Sequence, residues 1–239
     1  LTVAAFLAER DAEARELMDD PACDVRVLER TYRRFPLVNA FVSGQRAVYR
    51  RWLRPRATPT RPWRVLDVGT GGADMPRRLL RWARRDGLDV HVVAIDPDPR
   101  AIDYARRRAT APGLELRAVT TADLRAAGER FDAVLSNHVL HHLSDDEVKA
   151  LLDDTAALVT PGGVAVHADI ERSSLAYAAF AAATWPLQAG PLRGTFIRPD
   201  GLTSIRRSRT AGETAALAPR GWRVRRGFPS RLELVWGGP

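Results

Sequence analysis

An α/β fold, built on a parallel sheet with helices on both faces and closed by two further strands, is what this 239-residue sequence predicts. Three observations carry the prediction. From Trp63 to Ile170, β-rich apolar runs alternate with helical patterns, the alternation that gives parallel strands joined by crossover helices. The run Arg64–Val68 leads into a glycine-rich turn, Gly69-Thr70-Gly71-Gly72, and a helical pattern leads out of it. The last two apolar runs, Gly221–Phe228 and Arg231–Trp236, are separated only by Pro229-Ser230 and read as two closing strands. A chain of this length can form one domain with a sizeable core, or a core plus a small cap.

The elements follow in order. Residues 3–19 put Phe6, Leu7, Leu17 and Met18 at helical spacing and stop at Asp20-Pro21. Further helices are predicted over Asp24–Phe35 and about 37–53, then a proline-rich linker to Pro62, so residues 1–58 read as a helical cap and 59–239 as the main domain. In that domain strand one is Arg64–Val68, followed by a helix over 73–85, and strand two is Val90–Ile95. Asp98-Pro99 then supplies the N-cap and first residue of a helix ending near Ala109. Strand three is Leu114–Val119 and strand four Ala133–Ser136. Ser144 and Glu147 have capping-box spacing for a helix to Leu158, and Pro161-Gly162-Gly163 turns the chain into strand five, Val164–Ile170. A lid-like insertion over 172–209 holds an apolar helix, Leu175–Trp185, stopped by Pro186, and then an arginine-rich loop. Thr210 and Glu213 form another capping box for a short helix to Leu217.

The composition narrows the function classes. A hydrophobic fraction of 45% is that of an ordinary folded protein. The net charge of +8 suggests nucleic acid, but Lys149 is the only lysine and the arginines are spread over helices rather than gathered in one stripe. With Cys23 as the only cysteine, no intramolecular disulfide can form, and a reducing compartment with a buried structural thiol is expected. No signal peptide precedes the first helix, and the most apolar run, Leu175–Leu187, is shorter than the ~20 residues a bilayer requires. The expectation is a soluble, cytoplasmic protein.

The chemistry-bearing positions cluster at strand ends. A glycine turn between strand and helix lets main chain approach a ligand, with N–H groups aimed at it. Asp96 ends strand two, where a carboxylate can accept hydrogen bonds from ribose hydroxyls. That spacing suits any adenosine-containing cofactor.

Asp67-Val68-Gly69-Thr70-Gly71-Gly72-Ala73, Asp96, Thr121-Ala122-Asp123-Leu124, the run Phe131–Leu143 and Pro161-Gly162-Gly163 occur in that order. Together they resemble the Rossmann-like S-adenosylmethionine-dependent methyltransferases, and the His141-His142-Leu143 segment is similar to the small-molecule branch that includes quinone-biosynthesis enzymes. The resemblance covers about residues 60–170. It departs at Ala73, where many members have a third glycine, a change that costs little unless the residue needs positive φ. The resemblance implies a Rossmann-like seven-stranded sheet with a terminal antiparallel hairpin, S-adenosylmethionine as cofactor and S-adenosylhomocysteine as product. Gly69, Thr70 and Gly71 would then lie against the methionyl part and ribose, Asp67 would orient the methionyl ammonium, and Asp96 would take the ribose hydroxyls. Pro97 would flank the adenine, Asp123 and Leu124 would bond its edge, and Asn137 completes the cofactor set. For Asp67 and Asp123, capping a turn or helix is the competing role.

Methyl transfer is an in-line displacement governed by alignment, and a phenolic acceptor gains from a base that removes its proton. His138 is the first candidate base and His142, with His141 beside it, the second. Three close histidines raise the question of a metal, but adjacent histidines point different ways and no carboxylate has ligand spacing to them, so no metal is expected. Tyr32, Phe35, Asn39 and Phe41 of the cap, with His138 and Trp185, are candidates to line the acceptor pocket, packing being the alternative for the aromatic ones. Arg193, Arg198, Arg206 and Arg207 could meet an acidic acceptor or simply be solvated. His167 and Asp169 share one face of strand five.

The reading is therefore a small-molecule methyltransferase, acting on oxygen of an aromatic or polyketide-like product. An RNA or protein methyltransferase is the alternative that charge alone favours. The Asn/Asp-Pro-Pro-aromatic signature of amino-methyltransferases is absent, since His138-Val139-Leu140 follows Asn137. A non-catalytic cofactor-binding scaffold is the third reading. The acceptor's identity and the oligomeric state stay open.

Overall fold

Strand one sets the architecture because both of its faces are covered: Val65 and Leu66 are fully buried on opposite faces. The computed structural model describes residues 7–108 and 111–237, without the side chains of 40–42. Its seven strands are β1 (Trp63–Val68), β2 (Val90–Ile95), β3 (Leu114–Arg117), β4 (Phe131–Asn137), β5 (Val159–Ile170), β6 (Arg223–Gly227) and β7 (Arg231–Trp236). They run in the order β3-β2-β1-β4-β5-β7-β6. Pairing is parallel from β3 to β5, and β7 is antiparallel to both β5 and β6. The alternation of side chains feeds two cores. Val65, Val92, Leu135 and Val166 meet Leu79 and Leu80 on one face, while Leu66, Val93, Val134 and Leu158 form the other with Leu152. Burying each such leucine contributes roughly 1.5–3 kcal/mol.

The helices are α1 (Val25–Val42), α2 (Gln45–Val48, continued to Leu53 by a π-turn), α3 (Asp74–Arg85), α4 (Pro99–Arg106), α5 (Thr121–Ala126), α6 (Asp145–Leu158), α7 (Ser174–Thr184), α8 (Ile197–Arg207) and α9 (Ala211–Leu217). Local chemistry sets their starts. The Asp98 side chain accepts from Arg100 N, with Pro99 in the first turn. Ser144 with Glu147 and Thr210 with Glu213 form complete capping boxes. Chain connection reverses direction between β1 and β4, so a crevice opens at their C-terminal ends, where α/β sheets bind ligands.

Three expectations need correcting. Residues 7–24 are not a helix. They form an irregular strap with one 3₁₀ turn, Leu17–Asp19, held from outside: Asp200 accepts from Leu17 N and Met18 N, and Arg100 donates to the Met18 and Asp20 carbonyls. Phe6 lies outside the described residues, as does the predicted helix end near Ala109. The cap's second helix runs through Pro36 to Val42, longer than predicted. In the insertion, the expected loop contains α8. Pro199 falls in its first turn, where a missing N–H costs nothing, and buried Ile197, Ser204 and Ile205 share a face. Among the described residues, no helix is long and apolar enough to cross a membrane.

Candidate active site

The register of β1 against β4 builds the site. Val68 lies opposite Ser136, so the glycine turn after β1 comes level with Asn137 and His138 at the end of β4. Gly69 and Gly71 have φ of 68° and 51°, the left-handed region open to glycine without strain. Any side chain at Gly69 would collide with Val139, whose Cγ2 would lie 2.5 Å from the added carbon. Ala73 also takes φ 54°, so the departure from glycine falls at a position that does need positive φ. A left-handed alanine costs roughly 1–2 kcal/mol.

The turn's N–H groups are not all free. Thr70 N donates to Ile95 O at 3.0 Å, and Gly71 N donates to Asp96 Oδ2 at 2.8 Å. Asp96 Oδ1 accepts from Asp98 N at 3.0 Å. Asp96 thus braces the turn from β2 while each oxygen keeps a lone pair for a ligand. Burial raises its pKa, against the pull of those two N–H donors. Asp67, at the end of β1, is buried, and burial with like charge from Asp74 and Asp96 pushes its carboxyl up to about 7. Asn137 Oδ1 is buried with no hydrogen-bond partner. An orphaned acceptor beside a glycine cradle fits a ligand that brings its own donors.

Other predicted cofactor residues fall differently. Asp123 Oδ2 accepts from Thr120 N and Oγ1, completing a capping box with Thr120, so its capping role is realised. The Leu124 N–H donates to Thr120 O at 3.4 Å and its side chain is buried in the core, which corrects the expectation of a spare amide for the adenine ring. Pro97 is exposed.

His138 has φ 60° and donates from its backbone N to Ala168 O across to β5. A strained non-glycine residue at a strand end is held there by the surrounding structure and is characteristic of functional sites. Burial lowers its imidazole pKa to about 4, despite the Asp169 carboxylate. His141 is buried: its Nδ1 lies 2.7 Å from Asp169 Oδ1 and its Nε2 3.3 Å from Glu16 Oε1. Burial alone would lower its pKa, but Asp169 and Glu16 outweigh that and carry it to about 10. His142 Nδ1 pairs with Asp19 at 2.9 Å, so its ring is already engaged. His167 is a satisfied core residue between Ser136 Oγ (2.7 Å) and Thr155 Oγ1 (2.9 Å), and it does not share the partners of Asp169. Glu16 is the member that sequence reasoning missed. It lies 125 positions before His141, on a strap whose helical spacing of apolar residues gives no sign of that contact.

The acceptor-side candidates divide. Tyr32 is buried on Tyr104 (ring centroids 5.2 Å) and closes over Gly71 and Gly72, while Phe35 packs at its edge. Asn39 Nδ2 donates to Asp74 at 3.4 Å, and the Phe41 side chain is not described. Trp185 is 69% exposed under the Arg198 guanidinium. The arginines expected on a loop are largely committed: Arg207 donates to the carbonyls of Ala14, His141 and His142, Arg198 to Ala181, and Arg206 pairs with Asp11. Cys23 is partly exposed, its Sγ beside Arg100.

Comparison with known proteins agrees with this geometry. A family profile described as "Methyltransferase domain" matches residues 65–163. The chain is 36% identical over 155 residues to a ubiquinone biosynthesis O-methyltransferase of Cereibacter sphaeroides, covering 62% of this chain and 59% of that protein. It is 38% identical over 130 residues to the protein of the same name from Rhizobium rhizogenes, covering 53% and 49%. The chain thus spans about half to three fifths of the length of these curated relatives. Among solved structures, human N-acetylserotonin methyltransferase in complex with SAM superposes with a TM-score of 0.59 at 14% identity, covering 99% of this chain and 66% of that one. The plantazolicin methyltransferase in complex with a desmethyl analog and SAH gives 0.58 at 13%, covering 99% and 98%. At these identities the two structures share the fold.

Proposed function

We propose that this chain, which matches a methyltransferase-domain profile over residues 65–163, is a Rossmann-like S-adenosylmethionine-dependent methyltransferase that methylates an oxygen of a small aromatic or polyketide-like molecule. S-adenosylmethionine, when bound, supplies an electrophilic methyl group on a sulfonium. The observation that carries the reading is the buried, partnerless Oδ1 of Asn137 beside the left-handed glycines 69 and 71.

Each residue's contribution follows from its place. Gly69, Thr70 and Gly71 let main chain lie against the methionyl part. Asp67 orients its ammonium, and Asp96 takes the ribose hydroxyls with its remaining lone pairs. Asp123 keeps an adenine-side role in addition to its capping bonds. His138 is the general base: it follows Asn137 at the strand end, and although burial lowers its basicity, the Asp169 carboxylate favours the imidazolium that forms as a ring nitrogen accepts a phenolic proton. Tyr32, closed over the glycine turn, shields that region from water, with Phe35 supporting it. The relatives named for ubiquinone biosynthesis make a phenol or catechol with an apolar substituent the first acceptor class to try.

The test is incubation of the purified chain with S-adenosylmethionine and a panel of alkylated phenols and catechols, read by mass spectrometry. Gain of one methylene on an acceptor, with equimolar S-adenosylhomocysteine, supports the reading. Cofactor binding without turnover on any oxygen acceptor returns the chain to the scaffold reading, and absence of binding overturns the site.

A further inference from the structure

The loop after β4 and the strap together make a second constellation, outside the proposed methyl-transfer machinery. We propose that Glu16, His141 and His142 bind one divalent transition-metal ion of the zinc class. One carboxylate oxygen and one nitrogen from each ring lie within 4.8 Å of one another. The separations from Glu16 Oε1 are 3.3 Å to His141 Nε2 and 3.9 Å to His142 Nε2. Metal–ligand bonds of about 2.0–2.2 Å at tetrahedral angles put ligand atoms about 3.4 Å apart, which the two separations from Glu16 bracket, and the two rings close the triad within 4.8 Å.

The surroundings are those of a prepared site. In both histidines the other nitrogen, Nδ1, faces a carboxylate, Asp169 at 2.7 Å and Asp19 at 2.9 Å. That outer-shell pairing orients both rings with Nε2 toward Glu16, and a bound ion takes the place of the proton that His141 Nε2 shares with Glu16. Glu16 is 4% exposed, and Ser204 Oγ donates to its Oε1 at 2.7 Å. The backbone carrying the ligands is pinned on both sides. Asp200 holds Leu17 and Met18, while Arg207 holds the His141 and His142 carbonyls and Arg209 the Leu140 carbonyl. The His142 side chain is 27% exposed, which leaves a path in and room for a water ligand. Two imidazoles and one carboxylate favour zinc, cobalt or iron(II) over magnesium and calcium, which take oxygen donors. Three carboxylates, Glu16, Asp19 and Asp169, offset the ion's charge. The ion would fasten the strap to the β4 loop.

The experiment uses the full chain, stripped with a chelator and titrated with cobalt(II), then zinc(II). The expected result is one cobalt per chain with a visible ligand-field absorption that zinc displaces, and a higher Tm with zinc. His142→Ala, at a partly exposed position that tolerates truncation, should weaken zinc binding at least tenfold, as should Glu16→Gln. Asp19→Asn, which leaves all three ligands in place, should weaken it about tenfold. Circular dichroism establishes that each variant is folded. The proposal is overturned if cobalt gives no ligand-field band, if zinc affinity is the same in folded His142→Ala, or if magnesium binds as tightly as zinc.

Discussion

Asp67 offers a proton count as a test of the cofactor site. Its carboxyl is buried, and burial with the neighbouring Asp74 and Asp96 charges lifts it to about 7, so the ligand-free chain holds a proton there through mildly acidic pH. A methionyl ammonium set against it favours the carboxylate and expels that proton on binding. The count equals the protonated fraction, so it is largest at mildly acidic pH and falls away as pH rises through about 7. Isothermal calorimetry of S-adenosylhomocysteine in buffers of differing ionisation enthalpy reads it directly. Asp96 also sits above its ordinary value, so the difference between wild type and Asp67→Asn isolates Asp67. A difference near zero at about pH 6 refutes the ammonium assignment. The sign for stability follows from the same shift. A carboxyl whose folded pKa is raised binds its proton more tightly in the folded state, so stability is lost as pH rises from about 4 through about 7. Asp67→Asn should therefore flatten that decline in the ligand-free chain.

Three further outcomes are expected. Asp96→Asn keeps one acceptor for the turn but loses charge-assisted bonds to ribose worth about 1.5–3 kcal/mol, so affinity for S-adenosylhomocysteine should fall roughly tenfold to a hundredfold by calorimetry; near-native affinity removes the ribose role. His138→Ala should lower kcat by about 10²–10⁴ while sparing that affinity, and unchanged kcat eliminates it as base. Gly69→Ala forces a side chain into left-handed backbone at roughly 1–2 kcal/mol and against Val139 at a further ~1–3 kcal/mol; a urea midpoint equal to wild type would contradict the tight approach of Val139.

The sheet was legible because its signals are local and redundant. Val65 and Leu66 need cover on both faces, and Asp98-Pro99, Ser144/Glu147 and Thr210/Glu213 announce helix starts by chemistry within four residues. The turn from Gly69 to Gly72 and the acid at Asp96 could be placed together because parallel pairing of β1 with β2 aligns strand ends. What failed depended on distant partners. Residues 7–24 scatter apolar positions at helical spacing, yet Asp200 and Arg100 supply better partners for their backbone than an isolated helix would. The proximity of Glu16 to His141 arises from that strap, so no spacing rule could reveal it. Ala73 shows a subtler limit: the residue type is visible, but the positive φ that makes it costly belongs to the fold.

The guanidiniums of Arg10, Arg207 and Arg209 converge on main-chain oxygens of residues 140–143, each fork spanning more than one carbonyl. Lysine could not replace them, since a single ammonium lacks the planar, several-pronged reach that ties separate peptide groups together. Bonds of this kind, largely shielded from water, also escape the ionic-strength dependence of solvent-facing ion pairs. The segment bearing the histidines should accordingly keep its shape in brine that would strip a surface ion pair.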